Sequence, residues 1–198
     1  VNMPSRYNSD TTKNLAASIA KNLGCLYTVA PIQDAVELTL SEITNNEIIN
    51  FSSNDSFNVQ IPQLAAENIQ ARDRSARVLA AYASVLGGGF TCNANKTELT
   101  VGYATLYGDL AGFMAILADL WKYQVYELGQ YLNQQIYGRQ VIPEGVFSIV
   151  PSAELSEHHN VDKGMGDPLH YPYHDYLFKA FMEWWEPASP EEILLWYQ

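Results

Sequence analysis

The chain has 198 residues, of which 47% are hydrophobic, 17% charged and 12% aromatic. This length and composition predict one globular domain over residues 1–198. The net charge of −11 argues against nucleic acid or an anionic membrane as a partner, because both need clustered Lys and Arg. No stretch approaches the roughly 18 continuous apolar residues of a membrane span.

Helical and strand patterns alternate from the start of the chain. Ser9 as N-cap and Gly24 as C-cap bound a first predicted helix with apolar residues at helical spacing. Residues 26–29 form a short apolar run that predicts a buried strand. A second helix is predicted to begin near Asp34 and to continue through Leu40.

The next part of the chain is polar and then helical. Residues 45–62 are rich in Asn and Ser and predict a long loop. Residues 64–86 carry the longest helical pattern, which the glycines at 87–89 end. Residues 90–92 predict another short strand.

This alternation predicts an α/β fold of three layers, in which helices cover both faces of a parallel sheet. Ligands of such sheets bind beyond the carboxyl ends of the strands. The segments that follow the strands are therefore candidate site residues: residues 4–9, residues 93–98 and the loop after Asp109.

The cysteines and the start of the chain bear on location. Cys25 and Cys92 lie far apart, and neither belongs to a metal-type pair, so we expect two buried thiols in a reducing cytoplasm. The chain begins at Val1 without the charged region of a signal peptide. We expect from this abrupt start that the chain is trimmed from a longer parent.

Polar residues follow the predicted strand that ends near Cys92. A carboxylate at Glu98 and a lysine at Lys96, with amide and hydroxyl neighbours, suit a Mg²⁺-nucleotide at a strand-to-helix junction. Such residues at a helix start are more often caps. The local pattern alone therefore leaves both interpretations open.

Five blocks of sequence together are more specific than any one of them. They occur in this order: Asn2-Met3-Pro4-Ser5-Arg6-Tyr7-Asn8-Ser9, Glu67-Asn68-Ile69-Gln70-Ala71-Arg72-Asp73-Arg74, Asn95-Lys96-Thr97-Glu98, Gly102-Tyr103-Ala104-Thr105-Leu106-Tyr107-Gly108-Asp109 and Pro151-Ser152-Ala153-Glu154-Leu155. The chain closely resembles the NAD synthetases in these blocks, and particularly the glutamine-dependent branch. The resemblance extends from Asn2 to about Phe181.

The resemblance implies a fold, a reaction and partners. The fold is that of the ATP pyrophosphatases, which is adenine-nucleotide α-hydrolase-like. The reaction converts deamido-NAD to NAD with ATP, Mg²⁺ and ammonia. The substrate carboxylate attacks the α-phosphate of ATP and expels pyrophosphate, and ammonia then displaces AMP. The protein chiefly supplies positioning and charge stabilisation.

The resemblance also implies roles for single residues. It assigns Glu98 to Mg²⁺, Arg72 and Asp109 to deamido-NAD, and five residues to ATP, namely Met3, Arg6, Asn93, Lys122 and Ser152. Asn93 stands where the family usually has Thr. Each assignment has a plainer alternative: Lys122 as a first-turn lysine, Ser152 as an N-cap, Asp109 as a turn residue and Arg72 as a solvated helix residue.

The chain also departs from the family pattern. The phosphate-binding loop of the form Ser-Gly-Gly-x-Asp-Ser does not occur in it, and we expect it, with the first strand, upstream of Asn2. We therefore expect that these 198 residues alone do not make NAD, and that a bare sheet edge favours a homo-oligomer. The parent is also expected to carry a glutaminase domain or to use free ammonia.

Two rival interpretations come from other classes of protein. The four histidines His158, His159, His170 and His174 suggest zinc ligands of a hydrolase. However, Pro172 is expected to interrupt a helix between the last two, and the zincin pattern is not met. The second rival is a non-catalytic interaction module whose helices serve dimerisation.

Overall fold

The structure is a computed structural model that describes residues 1–184 and 187–196, with the backbone alone described at residue 196. The elements of this part of the chain are, in order, α1 (Asp10–Leu23), α2 (Gln33–Asn45), β1 (Ile48–Asn50), β2 (Asp55–Phe57), α3 (Gln63–Arg72), a π-helical segment (Asp73–Leu79), α4 (Ala80–Val85), α5 (Lys96–Val101), α6 (Lys122–Tyr131), a second π-helical segment (Leu132–Ile136), α7 (Gly145–Ser148), a 3₁₀ turn (Val161–Lys163), α8 (Tyr171–Met182) and α9 (Pro190–Trp196).

The first two helices confirm their predictions. Ser9 caps α1, since its hydroxyl accepts a hydrogen bond from the backbone N–H of Thr12 at 3.1 Å. Gly24 ends the helix with φ of 68°, a left-handed conformation that glycine adopts without the cost of a Cβ. Helix α2 covers the region where the pattern around Asp34 predicted it.

The long helix predicted over residues 64–86 is also present. Helix α3, the first π-helical segment and α4 follow each other without a break from Gln63 to Val85. The apolar spacing did not predict the π-helical middle. Such segments are rare, and those that occur often lie at functional sites. This one begins directly after Arg72.

The prediction of a structureless loop over residues 45–62 is wrong in part. Strands β1 and β2 form an antiparallel hairpin there, with Ile48 opposite Phe57 and Asn50 opposite Asp55. All six strand residues are exposed. Asn54, at φ of 61°, supplies the left-handed turn residue that a tight hairpin needs.

The two predicted strands form single parallel bridges rather than a ladder. Asn2 pairs with Val29, and Cys92 pairs with Ala115. The prediction that residues 26–29 are buried is wrong, because Leu26 is 95% and Val29 52% exposed. Parallel strands are stable where both faces are covered. In the described residues these apolar faces are open, so the predicted three-layer sheet is only partly formed.

The second bridge depends on one glycine. A Cβ on Gly112 would lie 2.2 Å from the backbone nitrogen of Cys92, so only glycine permits this approach. Cys92 is buried and Cys25 is exposed, and both are free thiols. The prediction of two buried thiols is therefore wrong for Cys25, which follows the exposed C-cap of α1.

The core lies in two places. Ile32, Val36 and Val78 form one buried cluster, against which Met3 packs. The second lies where α5, α6 and α8 meet, around the fully buried Trp121. The described helices include none with both the length and the apolar character needed to cross a bilayer.

Candidate functional site

An ion pair joins the first turns of α5 and α6. The carboxylate of Glu98 lies 3.3 Å from the Nζ atom of Lys122, and both side chains are about one-fifth exposed, at 21% and 19%. Asn95 and Glu98 form a capping box: each side chain accepts a hydrogen bond from the other residue's backbone N–H at 3.1 Å. The pair is therefore held by the helix start and still reaches solvent.

The aromatic ring of Tyr171 lies beside this pair. The Nζ atom of Lys122 lies 5.0 Å from the centre of the Tyr171 ring. The Tyr171 hydroxyl donates to the carboxylate of Asp167 at 2.8 Å. Burial, then the charge and hydrogen bonding of Asp167, raise the pKa of Tyr171 and of its neighbour Tyr103 above their usual range. Both phenols are therefore donors at neutral pH.

Asp167 connects Tyr171 to the loop of residues 151–155. Its carboxylate accepts a hydrogen bond from the backbone N–H of Ala153 at 2.8 Å. Its own N–H donates to the carbonyl of Pro151 at 2.8 Å. Asp167 lies outside the five family blocks, so the resemblance did not single it out.

Ser152 is engaged within this loop. Its hydroxyl donates to the carbonyl of His159 at 2.9 Å and accepts from the backbone N–H of Glu154 at 3.3 Å. The N-cap alternative fails, because no helix begins there: the residues after Ser152 form an irregular loop. Ser152 is therefore fixed in position by hydrogen bonds within the loop.

Glu154 joins that loop to the N-terminal turn. It is 4% exposed, and its carboxylate accepts hydrogen bonds from the backbone N–H of Ser9 at 3.0 Å and the hydroxyl of Thr12 at 2.7 Å. The side-chain amide of Asn8 is a third donor at 3.1 Å. Glu154 has φ of 47°, a conformation that costs a non-glycine residue energy and is often found at functional sites.

Arg74 fixes Met3 from the π-helical segment. Its Nε donates to the Met3 carbonyl at 3.0 Å and its Nη2 to the Asn8 side-chain oxygen at 3.1 Å. Burial lowers the pKa of Arg74, against the opposing charges of Asp73 and Glu154. The Met3 backbone therefore belongs to the same bonded network as Glu154.

Two predicted ATP contacts lie outside that network. Arg6 is exposed, and its guanidinium lies 4.9 Å from the ring centre of Tyr7 and 3.8 Å from the carboxylate of Glu37. Asn93 is exposed and accepts a hydrogen bond from the Thr91 hydroxyl at 2.9 Å. Both side chains are exposed, and these partners do not belong to the network of Glu154 and Arg74.

Arg72 and Asp109 meet the same loop. The Nε of Arg72 donates to the carbonyl of Leu106 at 3.1 Å. Asp109 accepts from the backbone N–H of Thr105 at 2.8 Å, which is the bond of a turn residue. Ser75 also donates to this loop, at the Tyr107 carbonyl, at 2.9 Å. Arg72 is otherwise exposed, so its guanidinium is open to a ligand.

The fit of Mg²⁺ depends on Glu98. Among the described residues, no group of three or more His, Cys, Asp and Glu side chains is placed to hold a metal ion. Mg²⁺ commonly keeps several waters and takes one or two carboxylates plus substrate phosphates. A half-buried carboxylate beside a lysine fits that manner of binding, in which the ion arrives with the nucleotide.

Two of the four histidine rings have local hydrogen-bond partners. His174 Nδ1 lies 2.9 Å from the carbonyl of His170, and His159 Nδ1 lies 3.3 Å from the Ser156 hydroxyl. The expectation that Pro172 interrupts a helix is wrong. Pro172 lies in the first turn of α8, where its missing N–H costs nothing.

The geometry resolves into one connected network and four predicted site residues outside it, Arg6, Asn93, Arg72 and Asp109. Glu98, Lys122, Ser152 and the Met3 backbone are linked through Tyr171, Asp167, Glu154 and Arg74. Arg72 and Asp109 are joined to a second loop, at Leu106 and Thr105. Chemically, the network presents a lysine, a carboxylate and backbone loops, which suits a phosphate-bearing ligand.

Comparison with known sequences gives a consistent result. The profile of the family described as NAD synthase matches residues 1–195. A glutamine-dependent NAD(+) synthetase of Thermotoga maritima is 34% identical over 191 residues, which are 96% of this chain and 30% of that protein. The chain spans about 30% of the length of such relatives.

Comparison with solved structures supports the same fold. The NMN synthetase of Francisella tularensis matches with a TM-score of 0.70 and 25% identity, over 98% of this chain and 71% of that one. The glutamine-dependent NAD+ synthetase of Acinetobacter baumannii, solved with ADP, matches with a TM-score of 0.60 and 27% identity, over 98% and 31%. The shared fold is the α/β fold of these synthetases.

Proposed function

This chain belongs to the NAD synthase family, and from that premise we propose that it forms part of a glutamine-dependent NAD synthetase. The proposed reaction is the ATP-dependent amidation of deamido-NAD to NAD, which makes the complete protein a carbon–nitrogen ligase. The connected network around Glu98 and Lys122 carries this proposal. A lysine and a carboxylate fixed 3.3 Å apart at two helix starts suit Mg²⁺-ATP.

The proposed roles follow from the charges. Lys122 neutralises phosphate oxygens of ATP, and Glu98 is a ligand of the Mg²⁺ that accompanies the nucleotide and offsets phosphate charge. Ser152 and the Met3 backbone lie on loops that contact ATP. Arg6 and Asn93 are the weakest of the ATP assignments, because their side chains are exposed and lie outside the connected network.

The proposed chemistry begins with a poor electrophile. The carboxylate of deamido-NAD attacks the α-phosphate of ATP, forming a P–O bond while the bond to pyrophosphate breaks. Ammonia then attacks the carbonyl carbon of this mixed anhydride, loses a proton and displaces AMP. The chain's contribution is to position both substrates and to stabilise charge on the phosphates.

Arg72 and Asp109 are proposed to serve deamido-NAD. The Arg72 guanidinium is exposed beside the loop that it bonds at Leu106. An exposed guanidinium can form charge-assisted hydrogen bonds with an anionic group of deamido-NAD. Asp109 shapes that loop through Thr105. We propose that its role is to hold the loop on which Arg72 acts.

Wider features of the complete protein are proposals too. The chain's share of its relatives, about 30%, supports a parent with a glutaminase domain and the Ser-Gly-Gly-x-Asp-Ser loop, without which these 198 residues should not make NAD. Two free thiols support a cytoplasmic location. Open apolar residues such as Leu26 and Phe113 support a homo-oligomer.

The test is an amidation assay of the complete protein. Deamido-NAD, ATP and Mg²⁺ are supplied with either glutamine or ammonia, and the products are measured. NAD, AMP and pyrophosphate are expected to form in equal amounts. Nicotinate mononucleotide is offered in a parallel reaction, because the TM-score of 0.70 to an NMN synthetase favours the mononucleotide as a second candidate substrate. No amide product from either substrate would reject the ligase and support the interaction module.

A further inference from the structure

Asp175 is a fully buried carboxylate beside the candidate site. It lies in α8 with 0% exposure. Its Oδ1 accepts a hydrogen bond from the Thr97 hydroxyl at 2.5 Å, and its Oδ2 accepts one from the backbone N–H of Tyr123 at 2.9 Å. Burying a charge costs free energy unless hydrogen bonds and dipoles offset it. The placement of this carboxylate therefore calls for a physical reason.

The start of α6 supplies one. The first N–H groups of a helix have no partner within it. Here the N–H of Lys122 donates to the Thr97 hydroxyl at 3.0 Å, and the next N–H donates to Asp175. A negative charge at this end is also favoured by the helix dipole. Asp175 and Thr97 together therefore hold the first turn of α6.

These bonds bracket the ion pair of the site. Thr97 directly precedes Glu98, and Tyr123 directly follows Lys122. The Thr97 hydroxyl donates to Asp175 and accepts from Lys122, so one oxygen joins α5, α6 and α8. The geometry of the Glu98–Lys122 pair thus depends on two buried side chains, Thr97 and Asp175. Neither of them hydrogen-bonds to the Glu98 carboxylate or the Lys122 Nζ atom.

We propose that Asp175, acting through Thr97, is a positioning residue for the amidation reaction, setting Glu98 and Lys122 at the separation that Mg²⁺-ATP requires. This inference rests on the proposed function. Packing alone would not need the charge, because replacing buried ions with apolar groups is often neutral or stabilising. The carboxylate adds direction, since it accepts bonds only at defined angles.

The decisive variants are Asp175→Asn and Thr97→Val in the complete protein. Both keep the volume of the side chain, but the first places an amide N–H against one of two donors and the second removes the shared hydroxyl. We expect kcat/KM for ATP to fall about tenfold to a hundredfold, mainly through KM, because small displacements of catalytic groups cost that much. Thr97→Ser keeps the hydroxyl and should restore the wild-type KM.

Asn133→Ala is the matched control. Asn133 lies at the far end of the same helical path and makes three bonds of comparable length to the backbone of Val141 and Ile142. Its loss should lower the melting temperature and leave KM for ATP unchanged.

Three outcomes decide the inference. A raised KM in Asp175→Asn and Thr97→Val, with the control unchanged, supports it. If Asp175→Asn does not fold, the Thr97→Val and Thr97→Ser pair decides in the same way. Wild-type KM in folded Thr97→Val would overturn the positioning role and leave the proposed function standing. An unaltered protein without amidation activity would overturn both.

Discussion

The Glu98–Lys122 side of the candidate site is built from helix starts, whereas the Ser152 side is built from loops. On the first side, a capping box and buried side chains fix charged residues that point outward. On the second, the carboxylate of Glu154 binds the N-terminal turn across 146 positions of sequence, to Asn8. We infer that the first side serves mainly to present charge to the ligand, and that the second serves mainly to hold the shape of the loops. Variants can separate these two properties.

Glu98→Gln should break the charge side with the largest effect on activity. Gln at this position can complete a capping box as Glu does, so the fold should survive while the negative charge is lost. We expect kcat/KM to fall by about 10²–10³, the range seen when one charge-stabilising group is removed from a site. Steady-state amidation assays on the complete protein measure it.

The control for this variant is Glu98→Ala, which removes the charge together with the Glu98 half of the capping box. Helix α5 should then lose about 1 kcal/mol of stability, visible as a lower denaturant midpoint. Similar activity losses in the two variants assign the effect to charge. Full activity of Glu98→Gln would contradict the metal and phosphate roles at this position.

Glu154→Ala should break the shape side with the largest effect on stability. It removes the shared acceptor of Ser9, Thr12 and Asn8, and leaves Arg74 with only one of its two nearby opposing charges, that of Asp73. We expect a loss of about 2–3 kcal/mol in the free energy of unfolding, since buried donors are left unpaired. Urea denaturation gives the value, and the exposed Glu157→Ala should stay within about 0.5 kcal/mol of wild type.

This contrast explains what the sequence could predict. The caps of α1 were predictable because Ser9 and Thr12 are three residues apart and the rule is local. Glu98 was assigned through a family block at a helix start, and Lys122, which lies outside the five blocks, through its match to a lysine of the family. Glu154 stands within the last of the five family blocks, yet its partners lie far along the chain, and spacing carries no signal for such a bond.

The prediction of the sheet failed for a different reason. Apolar runs such as residues 26–29 predict strands only if another layer covers them. Leu26 is 95% exposed. The apolar run therefore lies in a part of the chain on which the described residues pack no second layer. The hairpin of β1 and β2 was missed because its residues are polar or exposed on both faces. No alternation of apolar and polar residues was therefore present to detect.

Tyr171→Phe tests the joint between the two sides. It removes the hydrogen bond to Asp167 and should cost about 2 kcal/mol at neutral pH, because the acceptor is charged. The folded-state pKa of Tyr171 is raised by burial and Asp167. Its contribution is therefore present below the unfolded pKa of about 10 and is lost as pH rises above it.

The wild-type stability should accordingly fall more steeply above pH 10 than that of Tyr171→Phe, by about 1.4 kcal/mol per pH unit. Urea midpoints between pH 9 and 11 measure the slope. Equal slopes in the two proteins would mean that this hydroxyl ionises at its ordinary pH, and hence that Asp167 does not join the loop to the lysine side through it.

Arg72→Ala should sharpen the comparison with the smallest effect, because Arg72 belongs to neither side. Its side chain is exposed and makes one bond, to the Leu106 carbonyl, so stability should change by less than about 0.5 kcal/mol. KM for deamido-NAD should rise about tenfold, equivalent to about 1.4 kcal/mol, while KM for ATP stays unchanged. Arg77→Ala is the matched control: Arg77 lies on the same helical path and pairs only with Asp73, at 2.6 Å. A similar rise in both variants would indicate a general loss of positive charge, and a rise in Arg72→Ala alone would assign the dinucleotide to the loop beside it.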